Sequence, residues 1–239
     1  MPANIVQIDG LTNAEFFDRH AAPGRVALVA GVSLIDRAIA RAQPGQEPGQ
    51  SHGRWTHACL LQGRRLDGAH WVIESDLQVH RRHIQLGVQE NRIEKYLDDA
   101  EYPHVAIIEF DVDEAAMARV FTEALNLVAD RTRYSIRELF GTLLALRRPE
   151  LRGRENVLAR DRSIFCSAFV QHCFRQAGVD LLPGVETKNT TPQDLAHSPA
   201  CRTQWVMSRE VPPTRLKRVL TRVKRVAAKV RSARSRNDG

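Results

Sequence analysis

The segment Trp55 to Ser75 limits the folds open to this chain more than any other. Trp55–Gln62 and Ala69–Ser75 are short apolar runs, and Gly63-Arg64-Arg65-Leu66-Asp67-Gly68 joins them. Two strand-like runs separated by a short polar, glycine-flanked stretch predict a β-hairpin. Arg25–Ala30 and His104–Phe110 read as further strands. Helices are expected at the Thr12-Asn13-Ala14-Glu15 capping box, over Leu34–Ala42 behind Ser33, over Asp113–Ala129, over Ile136–Leu146 and from Cys166 to Ala177, where Gly178 ends the last. Gln43–Gly53 and Arg147–Arg162 read as loops. Strands and helices mix without strict βαβ alternation, so the expected class is α+β, a small antiparallel sheet packed with helices.

Composition allows one core and excludes several classes. The chain has 239 residues, 43% hydrophobic, with 14 Gly and 11 Pro, too few of the latter two for a collagen-like or mostly disordered chain. No 18 consecutive residues are apolar, so no membrane span is expected. The first residues lack the basic and apolar regions of a secretory signal. The expectation is a cytoplasmic protein, peripheral to a membrane or exported by a specialised route as the alternatives. Cys59, Cys166, Cys173 and Cys201 are too few and too scattered for a disulfide framework and read as thiols. His80 and His83 stand three apart, but among arginines they read as solvated surface rather than a metal site.

The net charge of +7 sits at one end. Residues 211–239 hold ten basic residues against the single acid Asp238, a net of +9, which leaves residues 1–210 at −2. Leu216, Val219, Leu220, Val223, Val226, Ala227 and Val230 recur at helical spacing between these charges. A basic amphipathic helix of this kind suits an anionic membrane surface or a protein partner; the plain alternative is packing on the protein's own body. Nucleic acid ranks last, because the tail has no aromatic residue to stack on bases. The expected organisation is a helical lead-in over 1–21, a main domain over 22–210 and the basic tail over 211–239.

Candidate chemistry centres on Phe165-Cys166-Ser167-Ala168-Phe169-Val170-Gln171. A cysteine in the first turn of a helix meets the positive end of the helix dipole and unpaired backbone N–H groups, which favour a thiolate and can hold an oxyanion. A buried structural cysteine is the commoner fate and stays open on these residues alone. In the hairpin, a turn centred between Arg65 and Leu66 sets Glu74 directly across from His57, as an imidazole and an orienting carboxylate. His70 and Cys59 share that face, His70 as the fallback orienter. A core histidine and an arginine-bound glutamate are the bland readings of the same pair.

At these residues the chain resembles a known family. Tyr134 followed by Cys166-Ser167-Ala168-Phe169-Val170-Gln171 is similar to the nucleophile region of NlpC/P60 cysteine peptidases. His57 and Glu74 precede Cys166, an order that resembles the circularly permuted branch, the YiiX/YaeF-like hydrolases with the lecithin retinol acyltransferase group. Pro23-Gly24-Arg25-Val26-Ala27-Leu28, Ser33-Leu34-Ile35-Asp36-Arg37-Ala38-Ile39, Trp55-Thr56-His57-Ala58, Trp71-Val72-Ile73-Glu74-Ser75, Thr191-Pro192-Gln193-Asp194-Leu195 and Ser198-Pro199 resemble its YiiX/YaeF-like members in the same order. Ala168 and Phe165 depart from the family's usual residues beside the cysteine and bear on substrate preference.

The resemblance implies a permuted papain-like fold with the nucleophile at a helix N-terminus. It implies Cys166 as nucleophile, His57 as general base, Glu74 as its orienter and Tyr134 at the substrate cleft. The expected activity is cysteine amidase or peptidase chemistry through a thioester, without a metal or organic cofactor, on a peptide-like or lipid acyl substrate. A lipid-directed acyltransferase or thioesterase recruited by the tail, and a non-catalytic binding module, are the alternatives.

Overall fold

Two serine/threonine caps start the helices that flank the first buried strand. Thr12 Oγ1 accepts from Glu15 N and Glu15 Oε2 accepts from Thr12 N, opening α1 (Asn13–His20). Ser33 and Asp36 repeat the arrangement at α2 (Leu34–Ala42). Each box satisfies backbone donors that the first turn leaves open. The computed structural model describes residues 3–45, 50–80, 83–130 and 165–210, with 77–80 and 83–86 described by backbone alone. Tyr134, the helix expected over 136–146, the loop expected over 147–162 and the tail 211–239 lie outside the described residues.

The strands are β1 (Asn4–Ile8), β2 (Val26–Ala30), β3 (His57–Arg64), β4 (His70–His80), β5 (His83–Arg92), β6 (His104–Phe110) and β7 (Cys201–Ser208). They form one sheet in the order β1-β7-β6-β2-β3-β4-β5. This is α+β, but the sheet has seven strands and is mixed, since β1 pairs with β7 in parallel. The small antiparallel sheet expected from the sequence is corrected on both counts. Residues 4–8, inside the stretch read as a helical lead-in, add an edge strand. β5 and β7 also went unread.

All five residues of β2 are buried, as a central strand covered on both faces requires. Alternate residues divide between two cores. Val26, Leu28, Ala58, Leu60, Ile73, Ala106 and Ile108 face α3 (Glu114–Ala129), α4 (Cys166–Gln176) and α5 (Pro192–Ala196), through Val120, Phe169, Phe174 and Leu195 among others. Ala27, Val29, Cys59, Leu61, Val72, Val105 and Ile107 face Phe16 and Phe17 of α1 and Ile93 and Tyr96 of a 3-10 turn, Ile93–Tyr96. Gly178, at φ 86, follows α4 in the left-handed conformation expected of it.

The hairpin forms with a different register. Arg64 pairs with His70 and Gly63 with Trp71, which centres the turn on Asp67; a bulge between Leu61 and Gly63 then sets Leu61 against Val72 and Leu60 against Ile73. Gly63 has φ 97, and a Cβ there would lie 2.8 Å from Pro23 Cγ. The bulge therefore needs glycine for its backbone and for the approach of Pro23. Later turn and bulge together displace the expected register by two residues. An even displacement keeps every side chain on its expected face.

Candidate active site

His57 is the first residue of β3, and Cys166 is the first residue of α4, the helix on the opposite face of the sheet. Both candidates thus occur where an element begins. His57 Nε2 lies 2.6 Å from Glu74 Oε2, and the Glu74 side chain is fully buried. With the register continued, Glu74 stands beside Cys59 and Asp76 beside His57, so His57 and Glu74 meet diagonally rather than directly across. A diagonal of about 7–8 Å between Cα atoms is within reach of side chains this long.

Glu74 is held from every side. Oε2 also accepts from Tyr96 Oη at 2.5 Å, while Oε1 accepts from Asn91 Nδ2 at 2.7 Å and Lys95 Nζ at 2.8 Å. Lys95 Nζ reaches Asp76 Oδ2 at 2.5 Å as well. The Tyr96 ring packs against His57 with centroids 5.8 Å apart, and against Tyr102 edge to face. Asn13 Nδ2 donates to the carbonyls of Tyr96 and Tyr102 and so ties the 3-10 turn to α1.

The electrostatics follow from burial set against these contacts. Burial opposes ionisation of Glu74, but the hydrogen bond and charge of His57, then Lys95, hold its carboxyl far below the usual carboxylate range. Burial likewise opposes protonation of His57. The charge and hydrogen bonding of Cys166, followed by those of Glu74, outweigh it and raise the imidazole well above its ordinary 6.5. With Nε2 committed to Glu74, Nδ1 is the ring nitrogen left for the sulfur. Phe165 caps α4 without a side-chain hydrogen bond of its own.

The other candidates fall elsewhere. His70 is not the orienter: its Nε2 lies 3.3 Å from Arg64 Nη2, and it lines a groove of about 350 Å³ with Phe17, Asp18, Ile93 and Leu97. None of Cys166, His57 or Glu74 lines that groove. Cys59 does share the Glu74 face, but it is buried, and burial and the Glu74 charge push its thiol well up. All four cysteines are free, and Cys166 alone among them is not fully buried. The backbone pairs His80 with His83 across the β4–β5 connection. Sequence reasoning missed Asn91, Lys95 and Tyr96 because a lysine or tyrosine in a 3-10 turn carries no periodic sign of burial.

No protein-family model matches the chain, and no curated protein matches it. Five chains among solved structures do. One is the crystal structure of YiiX from Escherichia coli O157:H7, described as a metalloprotein, at 12% identity and a TM-score of 0.50 over 80% of this chain and 99% of that one. At such identity the likeness concerns the fold. Sequence resemblance and structural likeness converge there: the chain has a YiiX-like α+β fold.

Proposed function

We propose that this protein is a cysteine hydrolase of the permuted papain-like kind, acting on an amide or related acyl bond. The observation that carries the reading is the His57 ring, held at Nε2 by a buried carboxylate and acted on by the Cys166 sulfur at a helix start. The chain order His57, Glu74, Cys166 supports the permuted form.

In this reading the Cys166 thiolate attacks the acyl carbon and forms the C–S bond, while the carbonyl electrons move to oxygen. The backbone N–H groups at the start of α4 receive that oxyanion. The His57 imidazolium, oriented by Glu74, gives its proton to the departing amine or alkoxide as the C–N or C–O bond breaks. Water then loses a proton to His57, attacks the thioester carbon and releases the acid and the Cys166 thiolate. The His57 proton restores the starting ion pair.

YiiX is described as a metalloprotein, which makes the metal-binding capacity of this site a question of its donors. Both Glu74 oxygens are already engaged, one by a lysine ammonium. A cation there would face like charge, and no group of three or more His, Cys, Asp or Glu suited to a metal occurs among the described residues. The residues present do not fit a metal at Glu74, and no step is routed through one.

The test is alkylation of Cys166 by iodoacetamide at pH 7, read by peptide mass spectrometry. Wild type is expected to react at least about tenfold faster than His57→Ala. Equal rates would leave Cys166 a structural cysteine and the fold a binding module. A second reading, a lipid acyl substrate, draws on Leu34 and Ile35, 82% and 55% exposed at the first turn of α2. Thr56, next to His57, hydrogen-bonds both to Val29 and to Gly31 just before that helix. Faster turnover of long-chain than of short-chain acyl esters would favour it.

A further inference from the structure

Glu74 and Asp76 lie two residues apart on one face of β4, and both carboxylates meet the same ammonium: Lys95 Nζ is 2.8 Å from Glu74 Oε1 and 2.5 Å from Asp76 Oδ2. We propose that Lys95 is a positioning residue, a cationic bridge that keeps two neighbouring carboxylates apart in their roles so that Glu74 Oε2 stays turned towards His57. This rests on the triad reading above and deepens it.

Each link has a physical reason. Two carboxylates this close repel, and the repulsion is strong where Glu74 is fully buried. A lysine between them satisfies both. Asp76, 20% exposed, anchors the ammonium from the solvent side, while Lys95 and Asn91 together fix Oε1. Oε2 is thereby left to Tyr96 and His57. Lysine's three donors on one nitrogen suit this bridge. Burial disfavours the charged lysine, yet the charges of Glu74 and Asp76 hold it protonated far above its usual range.

The groups facing Glu74 and His57 among the described residues are Cys59 from β3, Asp76 from β4, Asn91 from β5, Lys95 and Tyr96 from the 3-10 turn, and Cys166 from α4. Lys95 acts on His57 in two opposite ways. Its direct repulsion lowers the imidazole's proton affinity; its hold on Glu74 raises it. A bare repulsive charge and a positioning residue therefore predict shifts of opposite sign when Lys95 is neutralised.

The experiment is NMR titration of the His57 ring nitrogens in the full chain, for wild type, Lys95→Met, Lys95→Arg and the double variant Lys95→Met/Asp76→Asn. Positioning predicts that Lys95→Met lowers the His57 midpoint by about one unit or more. The double variant, which removes the unbalanced carboxylate, is expected to recover most of that loss, and Lys95→Arg to retain the wild-type midpoint more closely than Lys95→Met does. The Cys166 alkylation rate is expected to follow the same order.

An unchanged or raised midpoint in Lys95→Met overturns the proposal, as does a double variant no better than the single. If Lys95→Met does not fold by circular dichroism, the charge-balanced double variant and Lys95→Arg decide: both keeping a raised midpoint supports the bridge, and either falling to the ordinary value refutes it. A wild-type His57 that titrates at its ordinary value instead refutes the triad reading itself, and the proposal with it.

Discussion

His57 Nε2 and Glu74 Oε2 are 2.6 Å apart across a bulged hairpin, in a diagonal rather than a directly opposed pair. That relationship depends on Gly63, on the burial of Glu74 and on the cationic partner Lys95, and each dependence has a measurable consequence.

Replacing Gly63 is expected to disturb the site from a distance. Gly63→Ala places a Cβ at φ 97 and 2.8 Å from Pro23 Cγ. A left-handed alanine with that contact is expected to cost roughly 1–3 kcal/mol. Chemical denaturation measures the loss. Slower Cys166 alkylation in the folded variant would trace it to the register; an unaltered rate would show that the bulge serves the hairpin only.

Acidity is expected to separate wild type from Glu74→Gln. Folding lowers the Glu74 carboxyl from its ordinary 4.5, so its stabilisation is fully present above that value and is lost as pH falls through the folded-state value. The melting-temperature advantage of wild type should be greatest above about pH 5 and shrink below about pH 4. His57 carries the opposite sign. Its raised imidazole stabilises the fold below about pH 6.5, and that contribution declines as pH climbs past its folded-state value. A pH-independent gap between the two proteins would contradict the buried carboxylate.

Thiol reagents are expected to discriminate sharply among the four cysteines. Cys59 and Cys173 are buried with their thiols pushed well up, and burial pushes Cys201 up to about 11. Under native conditions iodoacetamide should label Cys166 first, at least about tenfold ahead of the others. Mapping the label by peptide mass spectrometry checks this, and early modification of Cys59 would contradict its burial.

Removing residues 211–239 is expected to abolish binding to vesicles containing anionic lipid if the tail serves a membrane role. Added salt should weaken binding by the intact chain, since ten basic residues provide the attraction. Cosedimentation measures both effects. Equal partition of the two forms would exclude the tail as the recruiting element.

Helices α1 to α4 and several strands were legible because their signals are local. The capping box at Thr12, the Ser33 cap, apolar spacing over 113–129 and Gly178 at the helix end each act within a few residues, and the structure places those elements accordingly. Cys166 at a helix start was legible for the same reason. The shared face of His57 and Glu74 was readable as well, since strand alternation survives an even change of register.

Tertiary structure decided what depends on distant chain segments. β1 and β7 pair in parallel although nearly the whole described chain separates them, a pairing no turn motif announces. The two-residue register change arises from a later turn together with a bulge, and the bulge glycine packs against Pro23, far from the hairpin in sequence. Lys95 and Tyr96 serve Glu74 because β5 returns beside β4 and the following turn folds over the carboxylate. The sequence by itself thus determined which residue types were available for the site and which faces of their elements they occupy, because those properties follow from short-range backbone geometry. Packing alone decided which charges meet, because burial and pairing of ionised groups depend on contacts between segments remote along the chain.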